Sequence, residues 1–390
     1  MLPFISIVLP VRNEEKYISD CVASIFAQDY PADQMEVIFV DGRSEDRTVA
    51  LLRELQKAHP QIQVFDNPNR TVPYAMNIGI GHSRGEVIVR LDAHAEYPPD
   101  YVRLSVETLL SQDCDNAGGV FVTRGRGFMG SAIAEMLKTP LGVGNATYRL
   151  TEQDGYVDTV PFGCFRRELF DRIGGFDERM TRNQDNELNF RIRKNGGKIY
   201  LNHNIRVLYY CRDTMRGIMR MGYMNGKWNV ITMTLVPGSM GVRHFVPLTF
   251  VLSTIVLLLL TLATGSLLFG GLLALEWGAY LLLDGFYSWS IAKEKGLRYL
   301  PVELILYPAF HFAYGFGSLC GIAALPRFLR EEREKKKQKS DGAKDGGAPT
   351  GSCTSAATGP EAACSASCSR RWPKRAWSRP CSRRSNTRRI

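Results

Sequence analysis

The first 91 residues alternate short apolar runs with amphipathic ones, a rhythm that few folds accommodate. Phe4–Leu9, Glu36–Val40, Gln61–Phe65 and Glu86–Leu91 are brief and rich in β-branched and other apolar residues, the pattern of strands buried on both faces. Between them, Glu15–Gln28, Asp46–Ala58 and Tyr74–Ser83 read as helices; the first carries Tyr17, Ile18, Cys21, Val22, Ile25 and Phe26 at helical spacing. Strand, helix, strand, helix at this spacing predicts βαβ crossovers and a mainly parallel α/β sheet with helices on both faces. Ligands of such sheets sit at the carboxyl ends of the strands, so chemistry is expected just after Val40 and Leu91. Met1–Pro10 has no charged segment before its apolar run, and reads as a first strand rather than a secretory leader.

From Val246 the chain changes character. Val246–Leu262 and Gly271–Trp289 hold only Glu276 and Asp284 as charges and are separated by a Gly-rich break at Gly265–Gly271. Each is long enough to cross a hydrocarbon core of about 30 Å, which takes roughly 20 residues. A third stretch, Leu300–Leu325, is apolar but contains Pro301, Glu303, Pro308 and His311. Arg243, the Lys293–Arg298 loop and the Arg327–Lys339 run are all basic, and the positive-inside rule puts all three on the cytoplasmic side. Two crossings satisfy the first two. A third would carry the last one out, so a re-entrant or interfacial path is expected for Leu300–Leu325.

Charge is segregated too. Residues 331–390 hold 15 of the 49 Lys and Arg but 6 of the 39 Asp and Glu, which is nine of the ten net positive charges. The rest is nearly neutral, so binding of nucleic acid by the folded part is not expected. Residues 340–390 show no apolar periodicity and read as a structureless tail. Its Cys353, Cys364, Cys368 and Cys381 come without any His in the tail, which argues against a zinc site. The scattered Cys21, Cys114, Cys164, Cys211 and Cys320 fit a reduced cytoplasmic domain.

Four polar clusters stand out. Leu9-Pro-Val-Arg-Asn-Glu-Glu15 follows strand one; Asn13 there could meet a ligand or cap the next helix, with Glu14 and Glu15 favoured by the helix dipole. Asp41 ends strand two where α/β folds bind a ribose or base, and Ser44 reads as the cap of the following helix. Asp92 and His94 stand at i and i+2, so on extended chain they point to one side and can share a divalent cation. Carboxylate and imidazole suit Mn²⁺ or a comparable ion; Mg²⁺ leans more on the carboxylate, and a nucleotide diphosphate would supply further ligands. Asp185 lies at the start of a helix marked by Leu188, Phe190 and Ile192, where it can cap the helix or project as a general base.

Together and in order, these clusters resemble the family 2 inverting glycosyltransferases of the GT-A fold, over about Pro3–Asn229. Asn13-Glu14 stands at that family's Pro-x-x-Asn-Glu, Asp41-Gly-Arg-Ser-Glu-Asp46 at its Asp-Asp-Gly-Ser-x-Asp, and Asp92-Ala-His94 at its Asp-x-Asp. Gly163-Cys-Phe-Arg166, Gly174-Gly-Phe-Asp177 and Gln184-Asp185 stand at its acceptor loop, its Gly-Gly-Phe-Asp turn and its Glu-Asp base motif. The resemblance implies donor contacts from Pro10, Asn13, Glu14, Asp41, Asn77, Arg84 and Asp92. It implies an acceptor side at Gly163, Cys164 and Gln184, a divalent cation (Mg²⁺ or Mn²⁺) on Asp92 and His94, and Asp185 as the base.

The Asp-Ala-His variant and the apolar C-terminal segment look most like the membrane-associated enzymes of bacterial exopolysaccharide assembly, of the succinoglycan glucosyltransferase type. That implies a nucleotide-sugar donor, favouring UDP, a lipid-linked saccharide acceptor, and a multi-pass protein of the bacterial plasma membrane with its catalytic domain in the cytoplasm. The domain plan is then 1–229 catalytic, 230–245 interfacial connector, 246–326 membrane segment and 327–390 basic disordered tail.

This sequence departs from the family at three places: Gly42 and His94 each replace an Asp, and Gln184 replaces a Glu. The Gln-x-x-Arg-Trp motif of processive synthases is absent; Tyr223-Met-Asn-Gly-Lys-Trp228 occupies that neighbourhood, which argues for addition of a single sugar. Two alternatives stand beside this reading. One is a synthase that glycosylates polyprenyl phosphate itself. The other is a catalytically degenerate membrane scaffold.

Overall fold

The computed structural model describes residues 2–344 of the 390. The tail cysteines and all but the first few residues of 340–390 lie outside the described residues.

The amino-terminal half follows the expected alternation: β1 (Ile5–Val11), α1 (Ile18–Phe26), β2 (Met35–Asp41), α2 (Thr48–Ala58), β3 (Ile62–Asp66), α3 (Val72–His82) and β4 (Val87–Arg90). Then come α4 (Tyr101–Ser111), β5 (Asn116–Arg124), α5 (Gly127–Met136), α6 (Pro140–Val143), α7 (Thr147–Leu150), β6 (Gly155–Tyr156) and β7 (Cys164–Arg166). The domain closes with α8 (Arg167–Ile173), α9 (Gln184–Lys194), β8 (Ile199–Tyr210) and α10 (Met215–Leu235). One sheet has the order β3-β2-β1-β4-β7-β5-β8-β6. β1 pairs parallel with β2 and β4, β2 with β3, and β5 with β8, while β7 runs antiparallel between β4 and β5. Ile5, Ile7 and Leu9 of β1, Val37 and Phe39 of β2, and Ile18, Val22 and Ile25 of α1 are fully buried in one apolar cluster.

Element ends differ from the sequence reading where side chains intervene. β1 and β2 run on to Val11 and Asp41, paired side by side, and β4 stops at Arg90. Asp92 and His94 therefore lie in the turn beyond the strand rather than on it. α2 starts at Thr48 because Asp46 Oδ1 accepts both its N–H, at 3.0 Å, and its hydroxyl, at 2.6 Å. Ser44 thus caps no helix, and neither does Asn13, since α1 begins at Ile18.

Three further helices follow: α11 (Val246–Thr264), α12 (Leu267–Lys295) and α13 (Leu300–Lys344). α11 ends on Gly265, left-handed at φ 65°, and the chain turns at once into α12. Both expose large apolar side chains, among them Leu259, Leu262, Leu268 and Leu282. All three helices are long and apolar enough to cross a membrane, by length and composition.

α13 is one helix, with Pro308 and Pro326 inside it, and it continues through the basic run that the sequence assigns to the tail. There Arg327–Glu331 and Arg330–Glu334 pair at i,i+4 and Glu332–Lys335 at i,i+3, which supports a helix. Its inner face is fastened to the preceding domain along its length. Tyr307 shares a 2.8 Å hydrogen bond with Thr139, His311 bonds the Leu141 carbonyl at 3.0 Å, and Phe328 meets Trp228, while Tyr299, just before the helix, meets Phe128. Near its far end Glu332 lies within electrostatic range of Arg179 and Lys335 within that of Tyr74. α10 and α13 meet through glycines. A Cβ on Gly226 would overlap the Tyr314 carbonyl oxygen, and one on Gly317 the Tyr223 carbonyl oxygen. The 229/230 boundary drawn from sequence falls inside α10.

Candidate active site

The carboxyl ends of β1, β2 and β4 open onto one edge of the sheet, and the loops after β1 and β2 are zipped together there. Asn13, left-handed at φ 57°, donates its N–H to Ser44 Oγ at 2.9 Å and accepts the Glu45 N–H on its side chain at 2.8 Å. Ser44 in turn gives its N–H, at 3.0 Å, and its hydroxyl, at 2.6 Å, to the Asp41 carboxylate. Asp41 therefore has a partner in the protein, Ser44. Pro10, beside Val40 on β1, completes this wall.

At the end of β4 three charged side chains meet. Arg90 is 3% exposed; its guanidinium bonds Asp185 Oδ1, on the first turn of α9, and reaches Asp92 Oδ1 at 3.3 Å. Tyr97 holds the Asp92 backbone, its hydroxyl accepting the N–H at 2.8 Å and donating to the carbonyl at 3.2 Å. Two residues on, His94 Nδ1 lies 3.1 Å from Glu14 Oε1. That hydrogen bond raises the imidazole pKa above its ordinary value, against the desolvation that lowers it. A third of the Asp185 side chain is exposed, yet the surrounding protein still pushes its carboxyl above the ordinary carboxylate value. Desolvation does this, helped by Asp92 and opposed by Arg90.

The sequence missed Arg90 and Tyr97. Its one signal for Arg90 was an Arg inside an otherwise apolar strand, and a cation buried there must be paired.

Asp92 and His94 bring one carboxylate and one imidazole to this turn, the first turned to Arg90 and the second to Glu14, and among the described residues no group of three His, Cys, Asp or Glu could hold a metal ion. These are donor types that a divalent ion accepts, and a diphosphate would add oxygen donors.

Several expected site residues lie elsewhere. Arg84 precedes β4 at the opposite edge of the sheet, its side chain 71% exposed and its Nε 3.0 Å from Glu36. A parallel sheet has its binding edge at the other end, so Arg84 is not beside the cleft. Asn77 spends its amide on a link between α3 and the Gly174–Asp177 turn, donating to the Phe176 carbonyl at 2.9 Å and accepting its N–H at 2.7 Å. Cys164 is 1% exposed on β7, between Val89 and Ala117, and burial pushes its thiol far up, so it faces the core and not an acceptor. Gly163 lies beside Arg90, its carbonyl accepting the Arg90 N–H at 3.1 Å. Gln184 opens α9 next to Asp185. His82 stacks on Phe65, and His203 and His311 are hydrogen-bonded away from this cleft.

A mainly parallel sheet whose carboxyl edge gathers Asp41, Asp92 and Asp185 defines the class: a GT-A nucleotide-diphospho-sugar transferase fold. Residues 6–174 match the family model "Glycosyl transferase family 2", and the chain is a glycosyltransferase carrying a domain of that family. It is similar to a dolichyl N-acetyl-α-D-glucosaminyl phosphate 3-β-D-2,3-diacetamido-2,3-dideoxy-β-D-glucuronosyltransferase of Methanococcus voltae, 29% identical over 80% of this chain and 96% of that one. It is similar also to succinoglycan biosynthesis protein ExoA of Rhizobium meliloti, 26% identical over 80% of this chain and 92% of that one. A solved structure of mannosyltransferase PcManGT from Pyrobaculum calidifontis, in complex with GDP-Man and Mn²⁺, has the same fold. Its TM-score is 0.56 at 22% identity, covering 82% of this chain and 88% of that one.

Proposed function

We propose that the chain moves one sugar from a nucleotide-diphospho-sugar to a hydroxyl of a lipid-linked saccharide, with inversion. The observation that carries this reading is the Asp185 carboxylate, open to the cleft and held by Arg90 beside Asp92. The base and ribose of the donor lie against Asn13, Glu14 and Asp41, and its diphosphate lies toward Asp92 and His94. A divalent ion bound there would neutralise charge on the leaving diphosphate. Asp185 takes the proton of the acceptor hydroxyl as that oxygen bonds to the anomeric carbon. The bond from the anomeric carbon to the diphosphate breaks in the same displacement, and the nucleoside diphosphate leaves. Arg90 is a positioning residue: it fixes Asp185 and keeps two neighbouring carboxylates compatible.

The lipid-linked acceptor is supported by the name of the Methanococcus voltae relative, which acts on a dolichyl-linked sugar phosphate, and by the apolar helices. A UDP-sugar donor follows from the family resemblance. The protein is read as multi-pass in a bacterial plasma membrane, with its catalytic domain cytoplasmic. The chain meets the catalytic domain at Tyr299, just before α13, and again at Phe328 within it, which packs on Trp228. That supports crossings by α11 and α12 alone, with α13 lying along the membrane face of the domain.

The test is nucleoside diphosphate release by the detergent-solubilised full chain, given a bacterial lipid extract and a panel of UDP-glucose, other UDP-sugars and GDP-mannose. Release with one donor that needs the lipid and stops with a chelator is expected. Silence across the panel would move the reading to the scaffold alternative.

A further inference from the structure

α12 carries a polar stripe on an otherwise apolar helix: Tyr280, Asp284 and Ser288 follow one another at successive turns. α13 has Glu303, Tyr307 and His311 at the same spacing. Two contacts fix how the stripes meet. The rings of Trp277 and Phe312 stack with centroids 5.6 Å apart, and the Tyr280 hydroxyl lies 2.9 Å from His311 Nδ1. The helices are joined by the short turn at 296–299 and run antiparallel here, so one turn forward on α12 is one turn back on α13. Asp284 therefore stands level with Tyr307, and Ser288 with Glu303. All four are fully buried by protein.

The protons of this seam are already committed. Ser288 donates to Asp284 Oδ1 at 2.9 Å. Thr139 donates to the Met136 carbonyl at 2.8 Å, so the Tyr307 hydroxyl, 2.8 Å from Thr139 Oγ1, is the donor of that pair. His311 gives its Nε2 proton to the Leu141 carbonyl at 3.0 Å, so Nδ1 accepts the Tyr280 proton. Lys295, at the end of α12, pairs with Glu294 at 3.0 Å. Asp284 Oδ2 and both Glu303 carboxylate oxygens have no hydrogen-bond partner among the described residues. What the seam offers is oxygen that can only accept: three carboxylate atoms and the lone pairs of two hydroxyls. Buried carboxylates in such a place are costly unless a cation meets them.

We propose that Asp284 and Glu303, with the hydroxyl oxygens of Ser288 and Tyr307, bind a hard divalent cation between α12 and α13. Two carboxylates balance its charge, and hard cations take oxygen ligands. Mg²⁺ keeps several waters, which a fully buried seam disfavours, so Ca²⁺ is the better fit. The ion ties α12 to α13 and, through the Tyr307–Thr139 bond, both to the chain just after α5. Its ligands include neither Asp92 nor His94, and the site does not rest on the transferase reading.

The test uses the full chain in neutral detergent, stripped with a chelator, near neutral pH and without nucleotide, with Ca²⁺, Mg²⁺ and Mn²⁺ each as probe. Ca²⁺ at about a hundredfold excess over its Kd should raise the thermal midpoint of the wild type by about 3 °C or more. Asp284→Asn and Glu303→Gln should each abolish that rise, and Asp92→Asn should keep it. Ser288→Ala, the mildest change, should weaken Ca²⁺ binding in calorimetry by about three- to tenfold, and decides the matter if the carboxylate variants do not fold. A stronger response to Mn²⁺ or Mg²⁺ that the same variants abolish would support the site and change only the ion. No response of the wild type to any of the three ions would overturn the proposal and leave protons as the charges that neutralise the pair. So would an undiminished rise in both carboxylate variants, wild-type Ca²⁺ affinity in Ser288→Ala, or loss of the rise in Asp92→Asn alone, which would place the ion in the cleft.

Discussion

Arg90 on β4 and Asp185 on α9, 95 residues apart in sequence, are joined by a guanidinium–carboxylate bond at the mouth of the cleft. The same guanidinium reaches Asp92 at 3.3 Å. One buried cation thus lets two carboxylates with different proposed tasks sit side by side, which their mutual repulsion would otherwise oppose.

The pair sets a pH dependence. Asp185, the proposed base, can take a proton only when ionised, and its carboxyl is raised above its ordinary value chiefly by desolvation. The acid limb of kcat/KM should therefore lie above the range of an exposed Asp, near 4. Arg90 opposes the shift, so Arg90→Gln should move that limb to higher pH. An acid limb that stays in place in the variant would separate Arg90 from the base.

Arg84 tests the edge of the sheet. Arg84→Gln should leave kcat and the donor KM within about twofold, because the residue lies at the end away from the cleft. Its partner Glu36 is 2% exposed and would lose that counter-charge while keeping its bonds to Ser6 and Gln63, so a stability loss of about 1–3 kcal/mol is expected. A large rise in donor KM would return Arg84 to the donor site.

Cys164 should be silent. Native protein should resist alkylation there, since the thiol is buried and its pKa is pushed far up. Cys164→Ala should cost on the order of 1 kcal/mol in a denaturant melt, through a small cavity, and keep its activity.

The α10–α13 seam should matter to turnover. Asn183, two residues before the base, bonds Asn229 of α10 at 2.8 Å, and Asn229 bonds Tyr314 of α13. Gly317→Ala would set a methyl against the Tyr223 carbonyl oxygen and force the helices apart. A fall of about 1–3 kcal/mol in stability is expected, with a lower kcat and little change in donor KM. An unchanged melt and unchanged kcat would contradict the coupling.

Much of the fold was legible because β1, β2 and β4 are buried on both faces and so spell themselves as apolar runs, with amphipathic helices between them, while β3, at the edge of the sheet, is only partly buried. Asp92, His94 and Asp185 could be picked out because they break such patterns at element ends. Asn77 and Arg84 could not be read correctly from the chain. Whether an amide meets a ligand or the Phe176 backbone depends on a turn about a hundred residues away. Arg84 stands beside a strand at the wrong end, and sequence order alone does not tell one edge from the other. The path of Leu300–Leu325 could not be read from charge placement alone: Pro308 sits inside an unbroken helix that packs on α10 and α5.

Deprotonation of a hydroxyl acceptor by Asp185 is the step on which the proposed chemistry depends. Sugar transfer to lipid should be followed for wild type and for Asp185→Asn, with donor binding checked by UDP affinity. A fall in kcat of about 10²–10⁴-fold with unchanged UDP affinity is expected. Near-wild-type transfer by the variant would contradict this role, and would point to an acceptor, such as a polyprenyl phosphate, that attacks without losing a proton.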